Sequence, residues 1–202
     1  MSEIDLKKLV EALIDTFLDS GKVAIDLRNK GLIKKIKADN TPVSNGDIEV
    51  NRLISKKLKE LTPSIPIVSE ETSDNKSINN LKDFWLIDPI DGTYDYINNL
   101  DEFTINAGLI LDRKPAAGLI NAPAKNRMFY SYGDGQSFEL SNNKKTKLEG
   151  NRKIEKDKIK FVSYSNKIIP EIQKIYNRLN VKEYTRMKSS LKFCVIAAGE
   201  YD

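Results

Sequence analysis

There is no histidine in the 202 residues. That absence excludes His-based acid–base catalysis, the Ser-His-Asp triad and His-ligated zinc together. The one cysteine has no partner for an internal disulfide, so nothing points to an oxidising compartment. No stretch approaches 18 consecutive apolar residues, which predicts no transmembrane helix. Charge of one sign is also lacking. Thirty-three Lys and Arg against 29 Asp and Glu leave +4, too near balance for a nucleic-acid footprint. The opening Met1-Ser2-Glu3-Ile4-Asp5 is acidic and then amphipathic, unlike the basic-then-apolar order of a signal peptide. A cytoplasmic protein is expected, with peripheral attachment to the inner membrane left open. There is no internal repeat and no low-complexity tract. What is present, 40% hydrophobic and 31% charged residues, is the mixture of a globular chain. Any catalysis then falls to carboxylates, hydroxyls, lysines or a bound hard metal.

The hydrophobic pattern predicts mixed α and β structure. Leu6, Leu9, Val10, Leu13, Phe17 and Leu18 recur at helical spacing, with Ser2 and Asp5 as a candidate capping box and Gly31 as the break. A short extended piece is expected from Lys34 to Asp39, then a second amphipathic helix from about Asp47 to Leu61. Two short apolar runs follow, Ile65 to Val68 and Phe84 to Ile87. Alternation from Phe103 to Leu111, then Ala117 to Ile120 and Met128 to Tyr132, predicts a meander of strands. From Asn142 to Lys160 the chain is lysine-rich and apolar-poor and reads as a solvated loop, so a boundary is placed there: residues 1–145 form one half and 146–202 begin another. A strand (Ile159 to Ser163), a helix (Ile168 to Leu179), a strand near Val181 to Tyr184 and a helix from Ser190 complete it. That helix is still apolar and amphipathic where the sequence stops, so a chain cut in mid-domain, with an exposed apolar face and poor solubility, is expected.

The carboxylates sit where strands end. Glu70 and Glu71 follow one apolar run, and Asp88 follows another with Asp91 three residues later. Neighbouring strands ending this way gather like charges that repel unless a cation or protons compensate them. Oxygen-only clusters suit Mg²⁺ or Ca²⁺; a solvated acidic pair is the plainer account of Glu70-Glu71. In Asp88-Pro89-Ile90-Asp91-Gly92-Thr93, Pro89 fixes one φ and Gly92 permits geometry closed to other residues. The run can turn both aspartates inward, offer the Ile90 carbonyl as a further oxygen, and start a helix whose free N–H groups accept a phosphate oxygen. Alternatively Asp-Gly-Thr is an ordinary capped turn.

A chance match to the complete six-residue run is on the order of one in a million at about 5% usage per residue. The run resembles the signature of the inositol monophosphatase superfamily of metal-dependent phosphatases. Lys37-Ala38-Asp39-Asn40-Thr41-Pro42-Val43-Ser44-Asn45-Gly46-Asp47 is similar to that family's N-terminal Asp-containing motif, and Ile67-Val68-Ser69-Glu70-Glu71 to its Glu-Glu motif. Asp39 to Ser44, Asp101-Glu102-Phe103-Thr104-Ile105-Asn106 and Ser189-Ser190-Leu191-Lys192-Phe193-Cys194 resemble the branch of CysQ-type 3′(2′),5′-bisphosphate nucleotidases.

The resemblance implies a layered α/β/α/β/α sandwich, with an N-terminal half holding metals and a C-terminal half covering a nucleotide. It implies that Glu70, Asp88, the Ile90 carbonyl and Asp91 ligate two or three Mg²⁺ ions, and that Asp47 and Thr93 orient and deprotonate the attacking water. Gly92 and Thr93 would hold the phosphate, with Glu70, Ile90 and Asp91 also lining the substrate site. Ser189 and Lys192 would meet a distal 5′-phosphate, unless Ser189 only caps the last helix with Lys192 on its wet face. The implied substrate is adenosine 3′,5′-bisphosphate, a by-product of sulfate activation, hydrolysed to AMP without a phosphoenzyme. A homodimer is left open.

Three positions depart from the family pattern: Tyr94-Asp95-Tyr96 after the Gly-Thr, Asn166 where histidine is frequent, and Lys188 where glycine is common. Family members also continue through an arginine-bearing strand to a Trp-Asp motif whose Asp is a remaining metal ligand. Weak or no turnover is therefore expected of these 202 residues. The alternatives are an inositol- or sugar-phosphate monophosphatase on the same fold, an inactive metal- or nucleotide-binding module, and, on the lysines from Lys144 to Lys160 alone, a nucleic-acid binder.

Overall fold

The computed structural model describes residues 4–37, 42–72, 80–149, 159–165 and 168–202. Its first element is the long helix α1 (Leu6–Lys30), capped by Asp5, whose carboxylate accepts from the Lys8 N–H, and closed by Gly31 at φ +97°. Asp5 is thus the cap itself and not the third helical residue of a capping box; Ser2 lies outside the described residues. Strands β1 (Lys34–Ile36) and β2 (Pro42–Ser44) form an antiparallel pair leading into α2 (Asn45–Leu61). Of the extended piece expected from Lys34 to Asp39, Ala38 and Asp39 lie outside the described residues, as do Asn40 and Thr41.

A seven-stranded sheet forms the body: β3 (Ile67–Ser69), β4 (Phe84–Asp91), β5 (Thr104–Leu111), β6 (Lys114–Ala122), β7 (Arg127–Ser131), β8 (Ser137–Ser141) and β9 (Lys144–Lys147), in that spatial order. All neighbours are antiparallel except β3 and β4, which run parallel. The short helix α3 (Thr93–Ile97) joins β4 to β5. Sequence reading missed β8 and β9. The stretch expected to be a solvated loop begins with the exposed lysine edge strand β9, a composition that blunts an open sheet edge; residues 150–158 lie outside the described residues.

Helices α1 and α2 cover one sheet face. Val10, Leu13 and Phe17 of α1 and Val50, Ile54 and Leu58 of α2 meet Trp85, Ile87, Ile105, Leu109 and Leu119 of the strands, all of them buried. Each such apolar side chain is worth roughly 1.5–3 kcal/mol on burial, so this packing dominates the fold. Two polar links orient it. Trp85 Nε1 donates to Thr62 Oγ1 at 3.0 Å, and the Tyr96 hydroxyl donates to the Ala24 carbonyl at 2.7 Å.

Beyond the sheet come β10 (Lys160–Ser163) and β11 (Glu183–Arg186), a parallel pair, with α4 (Pro170–Leu179) between them in sequence and α5 (Leu191–Ala197) after them. Strand β11 begins two residues later than its apolar pattern suggested. Leu191, Cys194 and Val195 of α5 pack on Ala122 and Phe129 of the large sheet, with Val162, Met187 and Tyr201 closing the cluster. Phe161 and Tyr184 of the small sheet meet Tyr176 of α4. The layers therefore run α, β, α, β, α as expected. The apolar face expected on the last helix is visible in the exposed Phe193 and Ile196. Asn166 lies outside the described residues. Among the described residues no helix is long and apolar enough to cross a membrane.

Burial pushes the thiol of Cys194 up to about 12. At pH 8 its thiolate fraction is then about one in ten thousand, and only thiolate attacks a disulfide reagent. Native protein at pH 8 should leave an aromatic disulfide reagent unreacted over minutes and titrate one thiol at once in urea. Immediate reaction of the native protein would show that α5 is not docked on the sheet.

Candidate active site

Four carboxylates are brought together where β3 and β4 end. In β4, Asp88 pairs with Asn106 of β5 and Asp91 with Thr104, so three steps along one strand match two along the other. Residues three apart in a strand ordinarily point to opposite faces. The extra residue is a β-bulge, and it restores Asp91 to the face that Asp88 occupies. Pro89, with no N–H to donate, sits in the bulge where no ladder bond is needed. The pattern Asp-Pro-Ile-Asp is thereby converted into two carboxylates on one face, while the Ile90 side chain is buried in the core. Parallel pairing sets Ser69 level with Ile87 and the Glu70 N–H donates to the Ile87 carbonyl at 3.2 Å, which brings Glu70 alongside Asp88.

Asp47 arrives from α2. It is the third helical residue of a capping box: the Ser44 N–H and hydroxyl donate to Asp47 Oδ2 at 2.8 and 2.6 Å. Gly46, just before it, lies against the Tyr96 ring so closely that a Cβ would overlap the hydroxyl end. Asp47 is 1% exposed, and burial raises its pKa against the opposing pull of the Ser44 and Thr93 donors. The Thr93 hydroxyl lies 3.3 Å from Asp47 Oδ1 and 2.9 Å from the Ile90 carbonyl. It carries one hydrogen. Given to Asp47, that hydrogen leaves the Ile90 oxygen free as a ligand and a Thr93 lone pair free to accept a proton from water. Gly92 precedes Thr93 at φ +93°, with the Glu102 carbonyl 2.8 Å from where a Cβ would stand, so both conformation and space require glycine.

Electrostatics marks Asp88 as the centre. Burial first, then the charges of Asp91, Glu70 and Asp47, push its pKa up to about 8. Its Oδ1 is buried without a hydrogen-bond partner among the described residues. An orphaned carboxylate oxygen among other carboxylates and a carbonyl is a hard-oxygen set that fits a divalent cation such as Mg²⁺. As they stand, these side chains do not close into a cage: among the described residues no three His, Cys, Asp or Glu groups form one. Two sets of contacts engage the carboxylates instead. Lys37 holds Glu71 at 2.7 Å and Glu70 at 3.2 Å, while Asp91 Oδ2 takes the Ser190 N–H and hydroxyl at 2.6 and 2.8 Å. Burial works against the Lys37 charge and its two carboxylates outweigh it, so its pKa is raised; burial likewise raises Glu71 against the pull of Lys37. Of the Glu-Glu pair, Glu71 is thus an ion-pair partner in the wall and not a solvated residue.

The structure therefore gathers Asp47, Glu70, Asp88, Ile90, Asp91, Gly92 and Thr93 at one place. Ser189 and Lys192 stand at the head of α5, where the Lys192 ammonium folds back on the Ser189 carbonyl at 2.8 Å and lies over the Phe193 ring. Ser190, not Ser189, occupies the cap position of that helix. Sequence reading missed Ser190 and Asn106 as partners of Asp91, Lys37 as the counter-charge to Glu70 and Glu71, and Lys188 as the partner of the buried Asp95. Lys37, Asn106 and Ser190 lie inside the family-like segments and Lys188 directly before one, yet only the fold tells which neighbour turns inward.

Residues 5–202 match the inositol monophosphatase family. The chain is 35% identical over 167 residues to the 3′(2′),5′-bisphosphate nucleotidase CysQ of Escherichia coli O6:H1, covering 81% of this chain and 65% of that protein. It thus spans just under two thirds of that relative's length. Among solved structures, CysQ from Bacteroides thetaiotaomicron superposes with a TM-score of 0.72 at 22% identity over 98% of this chain and 79% of that one. An IMPase/NADP phosphatase complexed with Mg²⁺ and phosphate gives 0.79 at 17% identity, over 98% and 74%. These two likenesses bear on the fold alone.

The repulsion at Asp88 has a measurable cost. In chelator, Asp88→Asn should raise the melting temperature by roughly 2–4 °C, the equivalent of about 1 kcal/mol in a chain of this size, and should cancel the further rise that Mg²⁺ gives the unaltered protein. An unchanged or lower melting point with the Mg²⁺ effect retained would show that Asp88 is neither crowded nor a cation ligand.

Proposed function

Because the chain belongs to the inositol monophosphatase family, we propose that it hydrolyses phosphate monoesters with the help of a divalent cation. We further propose that its substrates are 3′(2′),5′-bisphosphate nucleotides, adenosine 3′,5′-bisphosphate giving AMP and orthophosphate. The observation that carries this reading is the partly buried oxygen cluster centred on Asp88, with the Asp47–Thr93 pair at its edge. The relatives named CysQ support the nucleotide substrate, and the Mg²⁺ complex of the IMPase/NADP phosphatase supports the metal. Glu70, Asp88, the Ile90 carbonyl and Asp91 would hold the cation. Bound Mg²⁺, as two or three ions, would neutralise phosphate oxygens and lower the pKa of water.

The chain's own groups account for the rest. Thr93 accepts a proton from the attacking water as its own hydrogen passes to Asp47 Oδ1, a carboxylate whose burial makes it a better base than a surface aspartate. The water oxygen bonds to phosphorus as the ester P–O bond opposite breaks, and the departing nucleoside oxygen takes a proton from solvent. Gly92 and Thr93 offer backbone N–H groups to the phosphate oxygens. Ser189 and Lys192, at the head of α5, would meet the distal phosphate, Lys192 as a point charge released from the Ser189 carbonyl. In this reading residues 1–145 hold the metals, 146–202 begin the half that covers the nucleotide, and the protein works in the cytoplasm.

Phosphate release by the intact protein tests the proposal. Activity on adenosine 3′,5′-bisphosphate should vanish in chelator and return with Mg²⁺. Asp47→Asn and Thr93→Val should each lower kcat by about 10²–10⁴-fold, the usual contribution of a positioned base, with little change in KM. Preference for inositol 1-phosphate would reassign the substrate to the sugar- and inositol-phosphate branch. Undiminished turnover in chelator would reject the metal chemistry.

A further inference from the structure

The turn before α5 is fastened beside the carboxylate end of the sheet at two residues, Lys188 and Ser190. Lys188 donates its backbone N–H to Glu102 Oε2 at 3.0 Å, and its ammonium reaches Oδ1 of the buried Asp95 at 2.5 Å. Ser189 holds a left-handed conformation, φ +52°, that only such tethering makes tolerable for a residue with a Cβ. Ser190 then gives both its N–H and its hydroxyl hydrogen to Asp91 Oδ2, at 2.6 and 2.8 Å.

A directed chain of hydrogen bonds stands behind that contact. Asn106 Nδ2 lies 3.0 Å from Ser190 Oγ. An amide nitrogen only donates, so the hydroxyl accepts there and its single hydrogen must go to Asp91. The reversed amide would set its oxygen 3.4 Å from Asp91 Oδ2, acceptor against acceptor, so the orientation is fixed by its surroundings. Thr104 Oγ1 adds a longer contact of 3.4 Å to the same oxygen. Asp91 Oδ2 is thereby fully engaged, and Oδ1 is the oxygen left for a cation.

We propose that Ser190, backed by Asn106, is a positioning residue that locks the Asp91 carboxylate in one orientation and makes cation affinity depend on the docking of α5. The inference rests on the reading of Asp91 as a cation ligand. It assigns Ser190 a role that neither a cap nor a phosphate contact describes, and it gives Lys188 a purpose: neutralising Asp95 pins the turn that presents Ser190. Residues that hydrogen-bond a ligating carboxylate typically matter 10–100-fold for metal affinity.

Calorimetric titration of Mg²⁺ and Mn²⁺ into the full chain, with no substrate present, reads this directly. Ser190→Ala should weaken binding about tenfold, Ser190→Thr should restore it by returning the hydroxyl, and Asn106→Ala should weaken it in the same direction. Thermal melts of the cation-free proteins show whether each variant folds; if Ser190→Ala does not, Asn106→Ala reads the same chain from β5. Wild-type affinity in a folded Ser190→Ala, while Asp91→Asn loses binding, overturns the positioning role and leaves the metal reading standing. A wild-type protein that binds neither ion, or an Asp91→Asn that binds as wild type, overturns the metal reading and the positioning role with it.

Discussion

Mutual repulsion of carboxylates is the constraint that the rest of the structure answers to. Two such charges about 4 Å apart at the edge of a protein repel by about 4 kcal/mol, and here Asp91, Glu70 and Asp47 all act on Asp88. No chain assembles such a group by accident of packing, because each carboxylate would be more stable turned to water. They are held by covalent and hydrogen-bonded framing: the bulge in β4, the parallel register of β3, the capping box of α2 and the head of α5. Beneath each frame lie apolar contacts, Trp85, Ile87 and Ile90 against α2 and its neighbours, whose burial opposes the repulsion.

Much of this was legible in the amino acids, and the reason differs by element. The helices α1 and α2 announce themselves by 3.6-residue periodicity, since each buries one stripe. Asp88 and Asp91 were legible as a pair because Pro89 and Gly92 flank them, and those two residues restrict the backbone more than any side-chain preference does. Asp47 and Thr93 were reached only through resemblance to a family; nothing in their local sequence separates a catalytic aspartate from an ordinary capping one, and in the fold Asp47 caps α2 while its other oxygen faces the Thr93 hydroxyl.

What stayed hidden was the pairing of particular side chains across distance. Glu71 reads as a solvated acid until Lys37, thirty-four residues away, is seen to cover it. Ser189 and Ser190 are chemically identical neighbours, and the choice between them depends on a left-handed turn that no propensity predicts. Strand β9 was lost because its side chains are all exposed, so it carries no apolar alternation to detect. Lys188 looked like a departure from a glycine position; in the fold its ammonium neutralises Asp95, a buried carboxylate that would otherwise stand without a counter-charge.

The missing histidine acquires a positive meaning in this light. An imidazole at the edge of the cluster would become a second cation beside the carboxylates and compete with a metal for them. A threonine hydroxyl has no charge to add, and its single hydrogen has two acceptors within reach, Asp47 Oδ1 and the Ile90 carbonyl. Burial of Asp47 raises its basicity, and the Ser44 donors keep that rise in check. The basicity of Asp47 is thus set by burial and hydrogen bonding, with no added positive charge beside the other carboxylates.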